Sequence, residues 1–254
     1  MRSIWKGGLN FGMVSIPCKV YTATDDKRVS FHLIHRNCKS RVTMPRWCPV
    51  CERKLESQEI NRGYEIGKDQ HIILEENDFA SLPLKSLKQI EVVEFVKPGQ
   101  IDIRAYADSY FLSCEELGAK AFRLFLYAMD IAGVVGIAKL TYREREHLSA
   151  IRPYGGIMLL QTLHYSDEMR AFEEIKPREV GISEKELQMA QTLIQAMTGD
   201  FDHSKYCDDY RMALEKLIED KIAGVVTTTT PEVVAPADIV EALLASINLA
   251  GLKK

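Results

Sequence analysis

A mainly β, α+β architecture is expected of this 254-residue chain, on three grounds. Short runs that alternate apolar and polar side chains fill the first 113 residues. One amphipathic stretch near residue 120 interrupts them before strand character returns. The last third is helical and acidic. Short strands and turns at this spacing point to a barrel or another closed β-structure.

Taken in order, residues 13–24 (MVSIPCKVYTAT) alternate with β-branched enrichment, and 29–35 (VSFHLIH) repeat the pattern with Val29, Phe31 and Leu33 on one face. Strand character recurs in NRGYEI, HIIL, QIEVVEFV and SYFLSC, with a short helix expected at LEENDFASL. Residues 115–133 change period. Leu117, Phe122, Leu124, Phe125, Ala128 and Met129 form a broad apolar stripe on a helix that Gly133 ends. VVGIAKLTYRE, HLSAIRPYG and IMLLQTLHY return to strand, with a Gly155-Gly156 turn between the last two. Ser183 and Glu186 make a capping box ahead of LQMAQTLIQAM, with Gly199 as the stop, and CDDYRMALEKLIEDKIAG is a further helix ending at Gly224. TTTTPEVVAP is a linker. Beyond it a short helix carries Ile239, Leu243 and Ile247 four residues apart. The expected divisions are a β core over 1–165 with a knuckle-like insertion at 35–54, a helical region over 166–224, and a linker with its helix over 225–254.

An ordinary composition, 46% apolar and 27% charged, fits a globular protein. No apolar run approaches the ~18 residues of a membrane-crossing helix, and the N-terminus lacks the features of a signal peptide. A cytoplasmic location is therefore expected, and there six cysteines favour metal binding or inert burial over a disulfide framework. The net charge of −3 divides unevenly. Residues 1–163 carry 23 Lys/Arg against 19 Asp/Glu, and residues 164–254 carry 10 against 17, so +4 is followed by −7. A basic working surface joined to an acidic appendage has this signature, and total charge does not exclude nucleic acid, because phosphate contacts depend on local charge.

Residues 35–54, HRNCKSRVTMPRWCPVCERK, hold three of the six cysteines and six Lys/Arg against the single acid Glu52. His35-x2-Cys38 and Cys48-x2-Cys51 are two pairs at the spacing by which both side chains of a pair reach one ion. Together they supply the four N/S donors of a closed, structural zinc site. His32 and Cys18 remain open as alternative donors. A turn of this kind projects Lys39, Arg41, Arg46, Arg53 and Lys54 outward on a rigid frame, which suits phosphate backbones.

Enzyme signatures are missing. Gly63 to Asp69 is one residue short of a phosphate loop and has Asp where Ser or Thr must bind magnesium, and there is no GxSxG, HExxH or GxGxxG. His71, His147, His164 and His203 lie in unrelated contexts. A binding protein is expected.

MRSIWKGGLNFGMVSIPCKVYTAT, INRGYEIGKDQHIILEENDF, REREHLSAIRPYGGIMLLQTLHYSDEMR and MTGDFDHSKYCDDYRMALEKLIEDK, in this order, resemble the bacterial Ku family across about residues 1–224. The resemblance implies a homodimer whose β-barrels and bridging arms close a ring around duplex DNA. It implies loading at a free end without reading bases, and recruitment of DNA ligase D for non-homologous end joining, with no catalytic residue of its own. A nucleoid-associated place in the cytoplasm follows. A sequence-blind ring needs Lys and Arg along its inner wall, and Lys39, Arg41, Arg46, Arg53, Lys54, Arg104, Arg143, Arg145 and Arg152 are its candidates, Arg143 and Arg145 sharing one strand face. The helices at 183–224 would clasp the second subunit, and Ile239, Leu243 and Ile247 would dock the ligase. The competing expectation is a zinc-ribbon regulator that binds a specific sequence regardless of ends.

Overall fold

A computed structural model describes residues 1–68, 70–81, 88–142, 145–172, 175–177 and 180–224. The chain divides into two compact units, 1–171 and 172–254.

The first unit is built on strands β1 (Trp5–Phe11), β2 (Val14–Thr22), β7 (Gln89–Val96), β8 (Tyr106–Cys114), β9 (Val135–Tyr142), β10 (Arg145–Tyr154) and β11 (Ile157–Leu163). They close into a barrel in the order β1-β2-β8-β11-β10-β9-β7. Neighbours pair antiparallel except β1 and β7, which run parallel through Gly8↔Gln89, Leu9↔Ile90 and Asn10↔Glu91. Period-two alternation sends one face of each strand inward. Leu9, Ile16, Val20, Ile90, Leu112, Ile151, Met158 and Leu160 are all buried there. At roughly 1.5–3 kcal/mol for each fully buried side chain of this size, this set is the principal source of stability in the unit.

Strand β1 escapes the sequence reading because Lys6, Gly7 and Gly8 blur its alternation. Gly7 is there for closure. A Cβ at this position would lie 2.1 Å from the Lys88 carbonyl oxygen, while the neighbouring Gly8 N–H donates to that same oxygen at 3.1 Å. The parallel seam forms only because the side chain is absent. The β10–β11 hairpin turns through Gly155 and Gly156 at φ +54° and +84°, the left-handed pair that a two-residue hairpin requires.

Helix α2 (Ala119–Ala132) buries Phe122, Phe125, Leu126 and Met129 at helical spacing against the barrel cluster. Phe11 stacks on Phe125 with centroids 4.2 Å apart, and Gly133 ends the helix at φ +62°.

An arm leaves the barrel after β2 and returns at β7. It holds two small sheets, β3 (Trp47–Cys48) with β4 (Arg53–Lys54) and β5 (Arg62–Gly67) with β6 (Gln70–Leu74), then the five-residue helix α1 (Glu76–Ala80). Among its described residues from Thr24 to Ser81 no side chain is buried. Residues 29–35, expected as a strand, make only one bridge, Ile34 with Arg41, and Phe31 and Leu33 stand exposed. Alternation makes a regular strand only where a neighbour covers one face, and the short pairing of 33–35 with 40–42 leaves these side chains uncovered.

In the second unit α3 (Glu184–Met197) begins at Ser183, whose side chain and Glu186 form the capping box, and ends at Thr198. Helix α4 (Asp209–Ile222) is capped by Asp208. Neither helix has a buried residue. Among the described residues no helix is long and apolar enough to cross a membrane.

Candidate nucleic-acid interface

Two hairpins of one design form the base of the arm. In the first, Val42 N–H donates to the Leu33 carbonyl (2.8 Å), His35 N–H to the Ser40 carbonyl (2.9 Å) and Lys39 N–H to the His35 carbonyl (2.9 Å). In the second, Trp47 and Cys48 pair with Lys54 and Arg53, and Leu55 N–H donates to the Arg46 carbonyl (2.8 Å). The turns hold His35 with Cys38 and Cys48 with Cys51. In each, the residue after the second donor is left-handed, Lys39 at φ +58° and Glu52 at φ +48°. Non-glycine residues seldom adopt this conformation. The same use of it thirteen positions apart marks the two turns as matched.

Each pair is already closed on itself. His35 Nδ1 lies 2.9 Å from Cys38 Sγ, and Ser40 Oγ lies 2.8 Å from the same sulfur. The Ser40 hydroxyl, followed by His35, draws the Cys38 thiol down to about 7. Cys51 N–H donates to Cys48 Sγ at 3.4 Å. This and the neighbouring backbone N–H groups lower the Cys48 thiol, while Cys51, beside that sulfur, is raised. Among the described residues no group of three His, Cys, Asp or Glu side chains is placed to hold one ion, so the four donors stand as two pairs. The donor set, one nitrogen and three sulfurs in two preformed turns, suits zinc in kind.

The cations of the candidate wall separate by what holds them. Lys39, Arg41 and Lys54 are exposed on the two hairpins with no carboxylate partner among the described residues. Arg46 is exposed and donates to Ser57 Oγ (3.3 Å), which leaves its charge uncompensated. Arg53 is different: it grips Glu59 through two hydrogen bonds, of 2.5 and 3.0 Å, and draws that carboxyl down to about 2. On the barrel side Arg104 is held bidentate by Asp102, at 2.6 and 3.1 Å, and also donates to the Arg170 carbonyl (3.2 Å). Arg152 is half-buried, bonded to the Tyr106 hydroxyl and lying over its ring at 5.1 Å. Arg145 is exposed at the start of β10. Arg143 and the trio Ile239, Leu243 and Ile247 lie outside the described residues.

Arg36, exposed in the first turn and without a carboxylate partner among the described residues, joins the free set. The charge count of residues 35–54 includes it, and its place between His35 and Cys38 was the available signal. A feature that charge counting misses is the apolar surface beside these cations. Phe31, Leu33, Ile34, Met44, Trp47 and Val50 are all exposed on the arm. Cations and uncovered apolar side chains together suit a surface that takes phosphate and also meets protein.

The sequence itself is similar to known proteins of one family. Residues 10–189 match the Ku70/Ku80 β-barrel domain. The non-homologous end joining protein Ku of Archaeoglobus fulgidus is 38% identical over 250 residues, covering 98% of this chain and 99% of its own length. Its namesake in Desulfitobacterium hafniense is 37% identical over 100% of this chain and 90% of its own length. That of Bacillus subtilis is 36% identical over 98% and 82%. With the closed seven-stranded barrel and a match over most of its length, the chain belongs to the Ku family.

Proposed function

We propose that the protein binds ends of double-stranded DNA without sequence preference, as a homodimeric ring, and recruits DNA ligase D for non-homologous end joining. The observation that carries this reading is the contrast within the first unit. A closed barrel bears an arm whose described residues bury no side chain, expose apolar ones and present Arg36, Lys39, Arg41, Arg46 and Lys54 without a carboxylate partner. A second copy of the chain would cover that apolar surface, as it would the unburied faces of α3 and α4, and two arms together would close the ring. The names of the relatives support the repair role. The role needs no catalytic residue, only phosphate contacts, and it places the protein in the cytoplasm at the nucleoid.

Five such cations in each of two copies would contribute about −9 to the slope of log K against log salt, at roughly 0.9 per phosphate neutralised. The deciding experiment compares one duplex as a linear fragment and as a covalently closed circle at matched salt. Binding to the linear form alone is expected of a threading ring. Equal binding to both would overturn it in favour of an open, end-independent DNA-binding surface.

Zinc is the proposed structural element of the arm. His35, Cys38, Cys48 and Cys51 would hold it, tying the two matched turns together in place of a hydrophobic core. One equivalent of zinc per chain is expected in metal analysis, lost with Cys48→Ser; a metal-free wild type would sink the proposal. Docking of the ligase on Ile239, Leu243 and Ile247 rests on their spacing alone.

A further inference from the structure

The two remaining barrel cysteines face each other across a strand pair. Cys18 on β2 is the register partner of Cys114 on β8. Glu115 N–H donates to the Pro17 carbonyl at 3.1 Å, one position outside that pair on each strand. This bond makes Cys18 and Cys114 a non-hydrogen-bonded antiparallel pair, the kind that brings Cα atoms to roughly 4.5 Å and side chains closest together. Disulfides are built on Cα separations of about 4.4–6.8 Å. The next pair along, Val20 with Leu112, is buried on both sides, so the two cysteines share the inward face.

Their surroundings differ in a way that assigns roles. Cys18 is 2% exposed, and burial pushes its thiol up to about 12. Cys114 is half-buried and lines a surface recess with Lys19, Glu115, Glu116 and Leu117. A small oxidant in solvent therefore meets Cys114 first, with Cys18 behind it as the resolving thiol. Both are reduced in this structure.

We propose that Cys18 and Cys114 are a reversible redox site, forming a cross-strand disulfide between β2 and β8 when the protein meets hydrogen peroxide. In the first step the Cys114 thiolate attacks one peroxide oxygen. The O–O bond breaks, hydroxide leaves, and Cys114 becomes a sulfenic acid. In the second, Cys18 sulfur attacks Cys114 sulfur. The S–O bond breaks, and the proton of Cys18 leaves with the hydroxyl as water. Two thiols and one peroxide thus give one disulfide and two waters. Exchange with a small thiol returns both cysteines to the reduced form. The bond would form on a seam with no slack. A Cβ on Gly118, just before α2, would already lie 2.9 Å from Ile16 Cγ2 and 3.2 Å from Pro17 Cδ. In a reducing compartment a disulfide at such a place is a transient sensor rather than a staple.

The test uses the full-length wild-type protein, treated with hydrogen peroxide while folded. It is then alkylated in denaturant with N-ethylmaleimide, digested with trypsin without reduction, and read by mass spectrometry. Expected is a linked pair of peptides, residues 7–19 and 105–120, lighter by two hydrogens than their sum and released by a thiol reductant. Cys114→Ser, half-buried and sterically mild, should remove that species. Recovery of both cysteines as maleimide adducts, in a sample whose exposed Cys207 has been oxidised, would overturn the proposal. So would Cys114 carried on to its sulfinic acid while Cys18 stays a thiol.

Discussion

The barrel and the arm inserted between its strands β2 and β7 belong to one compact unit, yet they obey opposite rules. Every barrel strand offers side chains to a shared interior, with eight large residues at 1% exposure or less in β1, β2, β7, β8, β10 and β11. The arm offers none among its described residues. Its shape rests on backbone hydrogen bonds in tight turns, two left-handed residues and the Arg53–Glu59 pair. A segment of this kind gains little from the hydrophobic effect and has to be stabilised from outside, by metal, nucleic acid or a second subunit. The difference fits the proposed division of labour, with the barrel as a rigid mount and the arm as the surface offered to partners.

The sharpest way to break that comparison is truncation. Leu160→Ala in the barrel should lower the unfolding free energy by about 2–5 kcal/mol in denaturant titrations. Phe31→Ala in the arm should stay within about 0.5 kcal/mol in a dilute monomer and instead shift the monomer–dimer equilibrium seen by sedimentation. Similar destabilisation at both sites would mean that the arm has a core of its own.

Next in size is the parallel seam. Gly7→Ala forces a Cβ into the Lys88 carbonyl and should cost about 1–3 kcal/mol. Gly99→Ala, where a Cβ meets nothing within 4 Å, serves as the control and should be near neutral. Smaller again is the contrast among the cations. Arg41→Gln should weaken DNA binding and reduce the salt slope by about one unit per copy of the substituted chain. Arg53→Gln, whose charge Glu59 already offsets, should do less, in the same titration between low and moderate salt.

The smallest effect is one of pH. The Glu59 carboxyl is held near 2 chiefly by Arg53, and Asp102 near 2 chiefly by Arg104. Because both are depressed, the stability they add is complete above the ordinary carboxylate range and is lost as pH falls towards 2. Exposure and screening keep it slight. Carboxyl titration by NMR should place both groups well below their unpaired neighbours, and Arg53→Gln should return Glu59 to the usual range.

Much of the barrel could be read along the chain. Strands β2, β7, β9, β10 and β11, helix α2 with its stop at Gly133, and the capping box at Ser183 all announce themselves through period and turn chemistry. These signals are local, and local geometry obeys them. Where the reading failed, a non-local cause was at work. Residues 29–35 have strand alternation but pair only at their end, where 33–35 meet 40–42, while β1 lacks clear alternation and is made a strand by two neighbours. The interface was legible as a cluster of cysteine and charge in residues 35–54. Which cations are free was not, because Glu59, Asp102 and Tyr106 are matched to Arg53, Arg104 and Arg152 by folding.

From the order of residues alone came the mainly β character, the two donor pairs, the basic window and the family, since each depends on neighbours a few positions apart. Tertiary structure decided the closure of the barrel through Gly7, the division of the cations into held and free, and the meeting of Cys18 with Cys114. The first and the last depend on the register between distant strands, as does the pairing of Arg152 with Tyr106, whereas Arg53 and Arg104 take partners six and two residues away. A shift of one residue in that register turns every side chain to the other face, so no local signal in the chain can specify it.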